Sequence, residues 1–306
     1  MKAIAACLLI VAAGQGKVLY RSPDSSLVVS NFTSNGGVFL EDGNIGFDAV
    51  GTPLKIESLD RGFTISAAHI KGVLVPQREP TTKASYIKEM TGEGGMIAHF
   101  DSQVAHDYQV SRAIQDGGLV PAAMLGHDTA DIRSERFTFA GDPVQGTLTL
   151  PGKFTFITTG LKNDTLPDGT SVTKVSRQSS TMTGTSGLVT LWLGAGIDRR
   201  VKTATVEGPI TFVLDQVETD AKSITPVITN LKGWADRAEI DMEKGQTITL
   251  LGNVKLQGER GLYLGTSEGD KAVITLDKEL KPSSIRITGE PTKSTLREKK
   301  GGGGSK

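Results

Sequence analysis

Cysteine is all but missing from this chain. Of its 306 residues only Cys7 carries a thiol, so no disulfide framework and no Cys-based zinc site is available to the fold. Aromatic residues make up only 5% of the sequence, which leaves the interior to threonine, valine and glycine. Net charge is absent as well, since 34 acidic residues balance 34 basic ones. That removes the broad electrostatic footprint of a nucleic-acid-binding protein. Beyond the first residues no apolar stretch approaches the roughly 18 residues of a membrane-spanning helix.

Glycine is plentiful at 37 residues, and with Thr, Val and Ile it punctuates many short alternating runs. Such composition favours strands and turns over helices, and the expected fold class is all-β. The N-terminus is different. Met1-Lys2 precedes an almost wholly apolar stretch, Ala3 to Ala13, and then Gly14-Gln15-Gly16. One positive charge, a short apolar core and small residues read as a secretory signal over 1–16, cleaved near Gly14 or Gly16. Ile4-Ala5-Ala6-Cys7 has the look of a lipidation motif, yet the apolar run continues past Cys7, where such a motif would close it. A mature chain without thiols suits an oxidising periplasm.

The clearest alternation lies between Trp234 and Pro291. Ala238, Ile240 and Met242 share even-numbered positions with Ile248, Leu250, Val254, Leu256, Leu262, Leu264, Ile274 and Leu276. Alternate residues of a strand point to opposite faces, so one face is oily and the other carries Thr, Lys, Glu and Asp. Leu251-Gly252-Asn253 breaks the run, as a bulge or tight bend would. Earlier strand runs are expected at Leu27 to Phe32, Phe63 to Ala68, Gly72 to Val75, Ser85 to Met90 and Gly95 to Phe100, and later ones at Arg136 to Ala140, Gly146 to Leu150 and Phe154 to Thr158. The pattern fails between Gln103 and Arg136, where Gly117-Gly118, Pro121 and Gly126 interrupt it; a short helix or ordered loop is expected there. The resulting organisation is a signal (1–16), an N-terminal β block (17–102), an irregular insertion or boundary (103–135), a C-terminal β block (136–297) and a flexible tail (298–306). Gly184 and Gly208 are 24 residues apart, as are Gly265 and Gly289, each pair framing two strand runs. A repeated hairpin rung of that kind buries its oily face only by stacking on its neighbours.

Catalytic patterns are weak. His69, His99, His106 and His127 match no zinc-ligand spacing. Asp131, Glu135, Asp142 and Asp164 offer carboxylates for glycoside chemistry without singling out a pair. Gly184-Thr-Ser186-Gly187 lacks the Gly-x-Ser-x-Gly spacing of a nucleophile elbow. Gly92-Glu-Gly94-Gly95 lacks the lysine of a phosphate loop. No cofactor is expected.

The Trp234–Pro291 stretch resembles the OstA/LptA family of lipopolysaccharide transport, related domains of which occur in LptC and at the N-terminus of LptD. The resemblance falls on Ala235, Ala238, Ile240, Asp241, Leu250 or Leu251, Gly252, Asn253, Val254, Leu264, Gly265, Ala272, Ile274, Leu276, Asp277, Gly289 and Pro291. It covers about a fifth of the chain. It implies an elongated, open β-jellyroll of stacked antiparallel strands whose inner faces hold the acyl chains of lipid A, with the sugar-phosphate head at the rim. The groove positions it points to are Ile210, Phe212, Leu214, Ile240, Ile248, Leu250, Val254, Leu256, Leu264, Ile274 and Leu276. It implies a periplasmic, non-enzymatic glycolipid-binding protein that joins like jellyroll domains, or copies of itself, by edge-strand pairing. Two other readings stand beside it. One is a structural or adhesive surface β-solenoid with a closed core, the other a carbohydrate-active β enzyme.

Overall fold

The computed structural model describes residues 18–76, 85–124, 126–165, 172–193, 201–220, 226–260, 263–277 and 282–298. The expected signal at 1–16, and the tail apart from Glu298, lie outside them. Among the described residues the chain is three-quarters strand with a single α-helix. In order come β1 (Val18–Arg21), β2 (Leu27–Phe39), β3 (Ile45–Ser58), β4 (Phe63–Val75), β5 (Tyr86–Asp101), α1 (Ser102–Gln115), β6 (Gly126–Gly141), β7 (Gln145–Leu150), β8 (Phe154–Thr165) and β9 (Val172–Gly184). They are followed by β10 (Ser186–Trp192), β11 (Val201–Asp220), β12 (Val227–Asp241), β13 (Thr247–Arg260), β14 (Tyr263–Leu276), β15 (Pro282–Thr288) and β16 (Lys293–Glu298). A short 3-10 turn, Leu59–Arg61, separates β3 from β4.

Contacts divide the chain into two units. Unit 1 takes residues 1–122, 132–150 and 191–200, and unit 2 takes 123–131, 151–190 and 201–306. In unit 1, β1 to β5 pair antiparallel in chain order. In unit 2 the antiparallel order is β8, β9, β11, β12, β13, β14, and β14 then pairs β15 along one half and β16 along the other. Tight turns hold the hairpins. Asp142 accepts hydrogen bonds from the backbone N–H groups of Val144 (2.7 Å) and Gln145 (2.8 Å). Asp241 does the same for Glu243 and Lys244. A short aspartate side chain mimics a turn carbonyl, which is why it recurs at these tips.

One part of the expected architecture needs correction. β6 pairs β7 and also β8, β8 pairs β9, and β11 is reached from both β9 and β10. The six strands β6, β7, β10, β11, β9 and β8 therefore pair in a closed circuit and not in the simple stack of an open jellyroll. The physical reason is local. Pro151-Gly152-Lys153 splits one strand path into β7 and β8, and Thr185 splits another into β9 and β10, while both pieces keep their neighbours. Alternation along a chain reports faces and is silent about which strand pairs with which.

The long strands of unit 2 are each interrupted once, at matching places. Register slips between Glu207 and Ile210, between Trp234 and Arg237, and between Leu251 and Val254. At the end of this line, Gly289 to Thr292 separate β15 from β16 opposite Gly269-Asp270. Bulges bend a strand and strengthen its twist, so this line divides β11, β12, β13 and β14 into two halves. Side chains fix it. Asn253 donates through Nδ2 to Asp236 Oδ2 (2.7 Å), and the Glu290 N–H donates to Asp270 Oδ2 (3.2 Å). Gly252 has φ +72°, and a Cβ there would press on the Asp236 carboxylate, so glycine is the residue that fits. The bend expected at Leu251-Gly252-Asn253 is one link of this line.

Where the alternation fails, the chain forms α1. Asp101 caps it, accepting from the Gln103 N–H at 2.8 Å. Gln103–Asp107 and Arg112–Asp116 contacts brace its turns. None of its residues is buried. Among the described residues no helix is long and apolar enough to cross a membrane.

Candidate functional site

Strand register turns the sequence of unit 2 into rows of side chains that share a face. On the half of the strands that includes the start of β11, one inner row reads Val206, Ala238, Leu250, Ala272, Ile287. The next reads Ala204, Ile240, Ile248, Ile274, Ile285. Every one of these is aliphatic. Beyond the bulges the inner rows change. The first is Phe156, Met182, Phe212, Gly233, Leu256, Ser267, and the second is Thr158, Ser180, Leu214, Leu231, Gly258, Gly265, Leu296. The third is Gly160, Gln178, Gln216, Thr229, Arg260.

Eight of the eleven expected groove residues are buried on this face: Ile210, Phe212, Leu214, Leu250, Val254, Leu256, Ile274 and Leu276. Ile240 and Ile248 lie in the second aliphatic row and are half-buried. Leu264 does not belong to the set. It pairs with Glu259, whereas Leu256 on the inner face pairs with Ser267, so Leu264 stands on the outer face. The register shifts by one residue at the bulge in β14, and a one-residue slip exchanges the faces. Phe212 lies against Gly233, where a Cβ would run into its ring. The ring thus fills the space that glycine leaves in the neighbouring strand.

Burial across this face is uneven. Ile274 is 1% exposed, yet its row partner Ile285 on β15 is 43% exposed, and Leu296 on β16 is 74% exposed. Among the described residues, neither β15 nor β16 has a strand neighbour other than β14. The apolar face is therefore covered through its middle and uncovered at its last strands. Ile285 and Leu296 were missed in the sequence, because their short segments carry no long alternation of their own.

The catalytic candidates are spread over several elements. On the outer face of unit 1, His69 Nε2 meets Asp48 Oδ1 at 2.6 Å and its Nδ1 meets Glu93 Oε1 at 3.3 Å. The Asp48 bond raises the imidazole pKa above its ordinary value; burial opposes the rise, and the Glu93 bond adds to it. His99 lies on β5, His106 on α1 and His127 on β6. Among the described residues no group of three His, Cys, Asp or Glu is placed to hold a metal ion. Asp142 serves a turn, Asp131 and Glu135 lie along β6, and Asp164 lies on β8. Ser186 begins β10, and Gly92 lies under the Phe137 ring. A separate cleft of about 570 Å³ beside α1 is lined by residues including Pro23, Asp24, Leu59, Tyr108 and Arg112. Tyr108 donates to the Asp24 carbonyl there at 3.0 Å.

These features define a class, an antiparallel all-β protein whose strands present an apolar inner lattice. The chain matches no family model, no curated protein and no solved structure.

Proposed function

We propose that this is an exported, non-enzymatic carrier of the OstA/LptA kind. It holds the acyl chains of a lipopolysaccharide-type glycolipid on the inner face of unit 2 while the lipid crosses the periplasm. The observation that carries this reading is the uncovered end of an otherwise buried aliphatic lattice, at Ile285 and Leu296. An acyl chain laid along those rows gains roughly 0.8 kcal/mol for each methylene removed from water. Branched aliphatic side chains accommodate a flexible chain and need no catalytic group to do so. Opening is confined to the last strands and does not run the length of a jellyroll. The free edges of β15 and β16 also suit pairing with a like domain or a second copy of the chain.

Burial favours a second reading. With eight of eleven groove positions sealed, the face also serves as the core of a structural surface protein. One experiment separates the two. A photo-crosslinking residue is placed at Ile285, facing inward, and in a second protein at Arg286, facing outward. Saturable crosslinking to lipopolysaccharide from position 285 alone supports the carrier. Crosslinking from neither position, in folded protein, leaves the structural reading.

A further inference from the structure

The inner face of unit 2 changes character along the strands, and the change is graded. Starting at the row of Met182 and Phe212, all side chains but Gly233, Ser267 and Ser294 are apolar. One row further, Thr158 and Ser180 share a hydroxyl hydrogen bond of 2.6 Å beside Leu214 and Leu231. The following row sets Gln178 next to Gln216 and Gln216 next to Thr229, and continues through Arg260 and Tyr263 to Glu298. Beyond it Ser176 faces Glu218, whose Oε1 accepts from Gln216 Nε2 at 3.1 Å. Met182 to Gln178 spans four residues, about 13 Å of strand.

These polar groups point inward. Gln216 is 6% exposed and Ser176 is 7% exposed. A solvent-facing amide needs no explanation, but an amide on a core face does, because burying it costs free energy unless it is hydrogen-bonded. A core serving stability alone has its lowest free energy with aliphatic side chains in those places. An inner face that is aliphatic on one side of the bulges, then hydroxylic, then amide-bearing, matches the axis of an amphiphile whose chain ends in a polyhydroxylated head. Amides and hydroxyls each offer a donor and an acceptor, the pairing that vicinal sugar hydroxyls demand.

Resting on the carrier reading above, we infer that Thr158, Ser180, Gln178, Gln216 and Thr229 form a headgroup subsite for a sugar, and that they set the choice of glycolipid over phospholipid. The test uses the folded protein and two chain-matched probes below their micellar concentrations, dodecyl maltoside and dodecylphosphocholine, with affinity read by calorimetry. The wild type binds the maltoside about tenfold more tightly, the equivalent of one good hydrogen bond to a buried group. The Gln178→Leu/Gln216→Leu protein binds both probes alike, at the wild-type affinity for dodecylphosphocholine. Thr158→Val, which keeps the shape of the site, narrows the preference in the same direction if the double variant folds poorly. Equal binding of both probes by the wild type, or an equal loss for both in the variants, overturns the subsite and leaves the carrier reading standing. Binding of neither probe by the wild type overturns the carrier reading and the subsite with it.

Discussion

The strands of unit 2 carry two different linings on the two sides of one line of bulges. On one side the inner rows are Val, Ala, Leu and Ile throughout. On the other, Phe, Met and Leu give way to Ser, Thr and Gln, with glycines where rings and chains approach closely. Backbone pairing continues through both halves, so hydrogen bonding does not distinguish them. The contrast lies in the side chains. The aliphatic half has the composition of a stabilising core, and the graded half keeps hydroxyls and amides on a core face, hydrogen-bonded as Thr158 to Ser180 and Gln216 to Glu218.

The sharpest way to break the comparison is to empty the aliphatic half. Leu250 is fully buried, and Leu250→Ala is expected to cost about 2–5 kcal/mol through lost transfer energy and the cavity it leaves. Chemical denaturation measures it, and a loss below about 1 kcal/mol would show a loosely packed row. Gly233→Val addresses the graded half. The new side chain meets the Phe212 ring, and forcing the ring aside costs about 1–3 kcal/mol. An unchanged denaturation midpoint would show that Phe212 does not need the glycine. Asn253→Ala cuts the link across the bulges, where Nδ2 meets Asp236 at 2.7 Å on the surface. A loss of about 1 kcal/mol is expected, and hydrogen exchange at Val254 and Leu256 reports whether the two halves then open separately.

The smallest effect belongs to an outer face. The charged form of His69 is favoured by Asp48 and Glu93, with Lys71 paired opposite Asp48. Its folded pKa is raised above the unfolded value of about 6.5. The stabilisation is therefore complete below about pH 6.5 and disappears as pH climbs through the folded value. His69→Gln flattens that part of the melting profile. A variant whose Tm keeps the wild-type slope over that range would assign the pH dependence to other groups.

Much of this was legible in the residues. Thr, Val and Gly rhythm gave an all-β expectation, and the Gly252-Asn253 break is an observed bulge. The failed pattern at 103–135 contains α1, capped by Asp101. Two things were not legible. Leu264 shares the parity of Leu256, but the one-residue shift in β14 puts it on the other face, and a shift of that size leaves no mark in composition. The inward direction of Gln178 and Gln216 depends on their partners Phe212 and Met182 two rungs away. Alternation of Ser, Arg, Gln, Ser and Ser around Gln178 is equally good for either face. The six-strand closure was hidden for the same reason, since pairing between distant segments is decided by register and not by local sequence.

The most direct test of the central claim is a titration of the fluorescent apolar probe N-phenyl-1-naphthylamine into the wild type and into Ile285→Asp/Leu296→Asp. Both residues are exposed, so the substitutions leave the fold intact by circular dichroism. The account predicts saturable enhancement with the wild type and at least a tenfold weaker response with the variant, one charge at each end of the uncovered face being enough to spoil it. Identical titrations of the two proteins, or no enhancement with either, would contradict it.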